Sequence, residues 1–370
     1  MRGKWRHNKK SLMIAGLIIL VVLIGYHAVT RITFADNQAK ISSLYCKFGA
    51  SAPQVSKPVI LIPGTKGSLL AKGAEALWLT PGQALHHTGP LIYNPADTAV
   101  HATGILSKLT IIPLLVEYAP YALVSSALAC SPHAYFFYYD WRKNPLDHVA
   151  SLATLVSRVE RETGQKPSLI AHSMGGLIAH LYLKDHAESV DKVVYVAVPF
   201  QAGLSYLEDI DKGSSVGLNH GILSPLAVFS HPGSFALLPK PGTRTYKHQD
   251  LMEIKTWKDN RLSVYADPRA DYDEALGTNL AKAKMFYQLL EAPRPMQNQF
   301  LFVMGNCRPT LYAIAKDGAP SFRPGDGRVF ADSFPVEYNA LRKQVITSCA
   351  PHDQFLNDAN VVKAILEFLR

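Results

Sequence analysis

The stretch Leu169-Ile170-Ala171-His172-Ser173-Met174-Gly175-Gly176 limits what this chain can fold into more than any other. Pro167 to Ala171 is a short apolar run. From Met174 to Leu183 the apolar residues return at helical spacing, so a strand runs straight into a helix with Ser173 at the corner. In so sharp a turn the residues two before and two after the serine must be small, or their side chains strike the neighbouring strand or helix. Ala171 and Gly175 meet that condition. A small-x-Ser-x-Gly pattern alone is weak, and a surface turn serine is its ordinary explanation. Between a strand and a helix it is the setting of an exposed nucleophile.

The rest of the chain repeats this alternation. Pro58 to Pro63 is an apolar run closed by Pro63-Gly64, and Ala134 to Tyr139 is aromatic and strand-like. Asn144-Pro145 opens a helix whose apolar face is Leu146, Val149, Leu152, Leu155, Val156 and Val159, with Gly164 as its stop. Lys192 to Pro199, Gln299 to Met304 and Gln344 to Ser348 read as further strands, and Asn357 to Arg370 as a closing helix. Continuous apolar strands of this kind are buried on both faces, which predicts a mostly parallel central sheet with helices on both sides. Residues 66–104 look like an excursion. The stretch at about 200–295, with its Gly, Pro and Ser clusters, reads as an inserted cap or lid. The fold expected is therefore the α/β-hydrolase fold over 58–370, preceded by a tether at 31–57 and an N-terminal segment at 1–30.

A neutral hydroxyl is a poor nucleophile near pH 7 and needs a base, and the oxyanion it creates needs donors. In this fold one donor is the backbone N–H after the serine, here Met174. The other comes from the loop after an early strand, here Pro63-Gly64-Thr65-Lys66-Gly67-Ser68, with the Thr65 N–H as the candidate. The chain order is serine, acid, histidine. Asp326, in Arg323-Pro324-Gly325-Asp326-Gly327-Arg328-Val329, fits the acid, and a turn aspartate bonding its own backbone is the alternative. His352, after the last strand and before the last helix, fits the base. Asp353 is a rival acid, but adjacent side chains on an extended segment point apart.

The net charge of +9 is concentrated at one end, since Arg2, Lys4, Arg6, Lys9 and Lys10 supply five of it. Without a basic stripe on the body, a nucleic-acid role is not expected. The apolar run Leu12 to Gly25 behind those cations reads as a membrane anchor or a cleaved export signal, with Thr33-Phe34-Ala35 a passable cleavage site. Either reading puts the body outside the cytoplasm, anchored or secreted. Cys46, Cys130, Cys307 and Cys349 suit an oxidising compartment, and sequence order favours Cys46 with Cys130 and Cys307 with Cys349; four buried thiols are the alternative. The second pair would close a loop of about 40 residues, worth about 4 kcal/mol. His86-His87 lacks a partner at ligand spacing, so neither metal nor cofactor is expected.

At these residues the sequence resembles the lecithin:cholesterol acyltransferase family and its related phospholipases. Pro58 to Gly64 with Gly67 is similar to the family's oxyanion strand and loop. Tyr139-Asp140-Trp141-Arg142 matches its most specific segment. Ala171 to Gly175 is similar to its elbow, and Gly325 to Val329 to its acid loop, where a threonine or similar residue is usual at the Arg328 position. Ser234-Phe235 to Leu238-Pro239 resembles, more distantly, the end of its lid. The resemblance implies a triad of Ser173, Asp326 and His352, oxyanion donors at Thr65 and Met174, and an acyl-serine formed from a lipid ester and passed to water or an alcohol. It further implies a lipid or ester substrate at a membrane surface, with Asp140 and Arg142 as a structural ion pair. Ile105 to Leu128, apolar and broken by Pro113 and Pro120, reads equally as an interfacial lid or as core. A general carboxylesterase of the same fold is the alternative function, and a fold used only for binding is the third.

Overall fold

The computed structural model describes residues 55–370, apart from 86–88, 113–115, 130 and 270. The N-terminal segment, most of the tether, the Cys46–Cys130 pairing and His86-His87 lie outside the described residues. Among the described residues no helix is long and apolar enough to cross a membrane.

Six strands form the central sheet: β1 (Val59–Ile62), β2 (Ala134–Phe136), β3 (Ser168–His172), β4 (Lys192–Val196), β5 (Gln299–Gly305) and β6 (Arg342–Ser348). Their order is β6-β5-β4-β3-β1-β2, and every neighbouring pair is parallel. The strand period of two sorts one sequence onto two cores. Ile60, Ile62, Leu169, Ala171, Val193, Tyr195, Phe300 and Phe302 face one side. Val59, Leu61, Ile170, Val194, Val196, Leu301 and Val303 face the other. The first side is covered by α1 (Val149–Thr163) and α2 (Met174–His186), which bury Leu152, Val156 and Val159 from α1 and all of Met174 to Leu183 from α2. The second is covered by Ala122–Leu128 and by the closing helix Ala359–Leu369, through Val361, Val362, Ile365 and Leu366. Tyr121, Val124 and Leu128 are buried there, so the end of the 105–128 stretch is core rather than an exposed apolar lid.

Local signals act where expected. The Asn144 side chain accepts the Leu146 N–H and Pro145 takes the first position, although the opening turn is a 3₁₀ turn over Pro145–His148. Gly164 closes α1 in the left-handed conformation, φ +69°.

The 66–104 excursion is a three-stranded antiparallel sheet of Ser68–Lys72, Glu75–Trp78 and Val100–Ile105. Between β4 and β5 the chain forms α3 (Leu207–Lys212), the hairpin Ser214–Val216 with Asn219–Leu223, three short helices and the long α4 (Asp273–Glu291). The helix Pro232–Phe235 rests on the Tyr139–Arg142 segment. The Gly233 N–H donates to Arg142 O at 2.9 Å, and a Cβ at 233 would fall 2.7 Å from Trp141 O.

From β1 the chain runs to the edge strand β2 and then returns across β1 to β3. The topological switch therefore falls between β1 and β3, and the crevice at their carboxyl ends is where open α/β sheets bind ligands.

Candidate active site

Ser173 sits at the carboxyl end of β3, at φ +50° and ψ −126°, as the residue before α2. A non-glycine residue held in such a region costs about 1–3 kcal/mol, which the surroundings must offset. Its N–H donates to Val196 O at 2.9 Å. The glycines around it are sterically required. A Cβ on Gly175 would lie 2.4 Å from Pro63 O, one on Gly176 2.1 Å from the Val198 side chain, and one on Gly64 2.8 Å from Ser173 Cβ. The loop after β1 and the start of α2 are thus in backbone contact on either side of the serine.

His352 and Asp326 reach Ser173 from the far end of the chain. His352 Nε2 lies 2.9 Å from Ser173 Oγ, and His352 Nδ1 lies 2.8 Å from Asp326 Oδ2. A carboxylate only accepts, so Nδ1 carries the proton and Nε2 is left to accept the serine hydroxyl. Asp326 follows the hairpin Arg308–Ile314 with Pro320–Gly325, which β5 sends out before the chain returns to β6. Gly327, at φ +95°, turns the acid loop back. Burial would raise the Asp326 carboxyl, but the neighbouring His352 and hydrogen bonds from His352 and the Val329 and Arg328 N–H groups hold it below the usual carboxylate range. The carboxylate bonded to His352 Nδ1 is therefore Asp326 and not its rival Asp353. A Cys307–Cys349 disulfide ties the turn after β5 to the loop that carries His352.

The loop 63–68 is held from beneath by the Tyr139–Arg142 segment. Tyr139 Oη donates to Pro63 O at 2.8 Å, Ser68 Oγ accepts the Tyr139 N–H at 3.1 Å, and the Trp141 indole donates to Ser68 O at 3.2 Å. Trp78 Nε1 donates to Lys66 O at 3.0 Å. Arg142 grips Asp140 with two bonds, Nε to Oδ1 at 2.9 Å and NH2 to Oδ2 at 2.8 Å, both side chains being buried. Burial would raise the Asp140 carboxyl, and the Arg142 guanidinium more than offsets it. The pair is structural, as the resemblance implies. Thr65, next to Gly64, lines a cleft under the cap with Lys66, Trp141, Tyr206 and His231. Met174 opens α2, where the first N–H groups have no partner within the helix.

Three residues around this cluster were assigned no role from the sequence. Tyr121 Oη accepts the Gly64 N–H at 2.8 Å and lies 2.8 Å from His172 Nδ1. His172 Nε2 lies 2.9 Å from the carbonyl of His352, so Nε2 is protonated and Nδ1 accepts the tyrosine hydroxyl. Burial, together with the His352 charge, pushes His172 down to about 3, so it stays neutral. Tyr206, from the segment leading into α3, places Oη 3.2 Å from His352 Nε2. His172 was visible beside Ser173; Tyr121 and Tyr206 arrive only through long-range packing.

Comparison with known proteins bears on the fold. The sequence model of the family described as serine aminopeptidase, S33, matches residues 142–300, a span that includes Ser173. One chain of the solved Tle4–Tli4 complex superposes with a TM-score of 0.53 at 14% identity, covering 85% of this chain and 98% of that one. The fold is that of an α/β-hydrolase. A lipase of Bacillus licheniformis, BlEst2, aligns less closely, with a TM-score of 0.40 at 12% identity over 85% of this chain and 92% of that one. An uncharacterized protein of Saccharomyces cerevisiae, YJR098C, is 28% identical over 58% of this chain, which spans 35% of that protein's length. In this fold the strand ends of β1 and β3, the β5–β6 connection and the loop after β6 each deliver one part of the cluster. Among the described residues no three His, Cys, Asp or Glu side chains are grouped to hold a metal.

Proposed function

We propose that the protein is a serine hydrolase of acyl esters that works through an acyl-enzyme on Ser173. The observation that carries this reading is the unbroken line from Ser173 Oγ through His352 to Asp326, with bonds of 2.9 and 2.8 Å. As Ser173 Oγ attacks the ester carbonyl carbon, His352 Nε2 takes its proton. The tetrahedral oxyanion is met by the Thr65 and Met174 N–H groups. The C–O bond to the alcohol then breaks, His352 returns its proton to the leaving alkoxide, and the acyl group stays on Ser173. A water, or a second alcohol, repeats the sequence and frees the serine. Proton transfer of this kind is worth about 10²–10⁴ in rate, and each oxyanion donor about 10²–10³.

The cap supports a lipid ester as substrate. The cleft under it is lined mainly by apolar and aromatic groups, among them Trp141, Tyr206, Leu223, Val228 and Leu237, which suits an acyl chain. The lecithin:cholesterol acyltransferase-like reading rests on the Tyr139–Arg142 segment, and transfer to an alcohol is the finer part of it. The Cys307–Cys349 disulfide supports an extracytoplasmic site of action, with residues 1–30 as anchor or export signal.

A fluorophosphonate probe should label the wild type and fail to label Ser173→Ala; equal labelling of both sinks the proposal. Incubation with a phospholipid, with and without added alcohol, followed by lipid mass spectrometry, separates hydrolysis from transfer. Strong preference for a short soluble ester over the phospholipid favours the carboxylesterase alternative.

A further inference from the structure

The hydroxyl of Tyr206 meets reacting groups where other buried tyrosines meet backbone. Tyr139 Oη donates to Pro63 O at 2.8 Å, and Tyr287 Oη to Leu238 O at 2.5 Å, which is ordinary structural use. Tyr206 Oη instead stands 3.2 Å from His352 Nε2 and also hydrogen-bonds with the Ser173 side chain. Tyr206 is buried, and it lines the same cleft as the candidate oxyanion donor Thr65. Its ring is paired with a fixed cation. The Arg328 guanidinium lies 5.4 Å from the ring centre, while NH1 donates to Ser205 O at 2.8 Å and to Asp209 Oδ1 at 3.1 Å.

These contacts decide what the phenol can do. Burial pushes it up to about 12, against the pull of the Arg328 charge and the Ser173 bond, so near neutral pH it is a protonated donor. His352 Nε2 has one lone pair, and its closer partner, Ser173 Oγ at 2.9 Å, supplies the proton taken in the attack. Nε2 then hands that proton to the alcohol oxygen of the ester. To receive it, the oxygen must come within about 2.6–3.2 Å of Nε2, which brings it beside Tyr206 Oη. Negative charge grows on this oxygen as its bond to carbon breaks. A fixed donor there stabilises the transition state more than the bound ester. Arg328 strengthens the donor, because a nearby cation favours the negative charge that a phenol oxygen gains as its O–H is shared.

We infer that Tyr206 is a further catalytic residue, whose hydroxyl donates to the alcohol oxygen of the ester as it leaves, and that Arg328 is its positioning residue. This rests on the serine hydrolase reading and deepens it. Tyr206 is unchanged by the step. The C–O bond breaks, its electron pair goes to the alcohol oxygen, the Nε2 proton follows, and the phenol keeps its own proton. The substrate class that needs such a donor is an ester of an unactivated alcohol. An ester of an acidic phenol does not need it.

The test uses the full chain and two esters with one acyl group, ethyl butyrate with a poor leaving group and 4-nitrophenyl butyrate with a good one. Tyr206→Phe should lower kcat/KM for ethyl butyrate about 100-fold, the lower end of what one such donor contributes. For 4-nitrophenyl butyrate the fall should stay within about threefold, because nitrophenolate leaves with little help from a proton donor. Both esters are read on the same enzyme, so any loss of folded protein cancels in their ratio. Arg328→Met should shift the ratio in the same direction by about 3- to 10-fold, and should shift it no further when added to Tyr206→Phe. An equal fall for both esters makes Tyr206 merely structural, and a rise for either makes it an obstruction. Each of these overturns the assignment, as does a Tyr206→Phe variant that turns over neither ester, or a wild type that turns over the nitrophenyl ester alone. A neutral fluorophosphonate separates the two ideas. Labelling of Ser173 in wild type and Tyr206→Phe with an unchanged ester ratio rejects the donor alone, whereas no labelling and no turnover in the wild type rejects the hydrolase reading.

Discussion

The Tyr121 hydroxyl stands 2.8 Å from His172 Nδ1 and links the loop after β1 to the loop that carries His352. On one side it accepts the N–H of Gly64, in the loop that supplies Thr65. On the other, His172 passes the link to the backbone carbonyl of His352. Tyr121→Phe removes the hydroxyl and leaves a buried N–H and a buried ring nitrogen without their partner, at about 1–3 kcal/mol for each unsatisfied group. Because the groups it positions are those used in the transition state, kcat should fall about 10- to 100-fold with little change in KM. Stopped turnover on a soluble ester, read alongside chemical denaturation, checks this. A loss of stability with kcat untouched would make the network merely structural.

The acid assignment is open to a paired substitution. Asp326 Oδ2 lies 2.8 Å from His352 Nδ1, and Asp353 is the neighbouring carboxylate that sequence proximity offers as its rival. Asp326→Asn presents the wrong partner to Nδ1–H and should lower kcat by about 10³–10⁴, as loss of the orienting carboxylate does in serine proteases. Asp353→Asn should change kcat less than threefold. Parallel kinetics of the two variants decide the matter, and the reverse ranking would reassign the acid.

Much of this site was legible because its residues sit at points where local rules are strict. Ser173 was readable from the glycines and alanine that a sharp strand-to-helix turn demands, and His352 and Asp326 from their positions after late strands. Gly164 and Asn144 announced the ends of α1 for similar reasons. What the sequence did not disclose depends on contacts across the fold. Tyr121 reaches Gly64 over 57 positions, and Asp209 reaches Lys66 over 143. No periodicity or turn chemistry reports such a meeting. The hairpin Arg308–Ile314 with Pro320–Gly325 was also hidden, since Pro309, Pro320 and Pro324 and several exposed polar residues mask its alternation.

Buried neutral histidines make the fold sensitive to acid. His148 is pushed to about 4, His172 to about 3 and His231 to about 4, in each case chiefly by burial. Their unfolded values lie near 6.5, so below that pH the unfolded chain binds protons that the folded one refuses. These groups therefore cost nothing above about pH 6.5, and stability falls as pH drops toward 4, by up to about 1.4 kcal/mol per pH unit for each histidine. Urea midpoints measured at pH 7.5, 6 and 5 should decline steadily with an unchanged slope at pH 7.5 and 6. A flat midpoint between pH 6.5 and 5 would show that the three rings take up protons in the fold as readily as in the unfolded chain.

The disulfide between Cys307 and Cys349 should affect stability and turnover together. It spans 42 positions and connects the turn after β5 with the loop holding His352, three residues away. On the chain-entropy estimate its removal costs about 4 kcal/mol. A Cys307→Ser, Cys349→Ser double variant should therefore melt well below the wild type. It also frees the His352 loop to move relative to the hairpin that ends at Asp326, so the 2.8 Å bond between the two should be made less of the time. The expected outcome is a kcat reduced about 3- to 10-fold at a temperature where the variant is still folded. KM should stay within twofold, because no residue of the cleft under the cap has been changed. Thermal unfolding followed by kinetics 15–20 °C below the variant's own midpoint (at least about four times the 2–4 °C that 1 kcal/mol shifts a large domain) separates the two effects. Full kcat in the folded variant would mean that β5, β6 and the hairpin hold His352 against Asp326 without the covalent link.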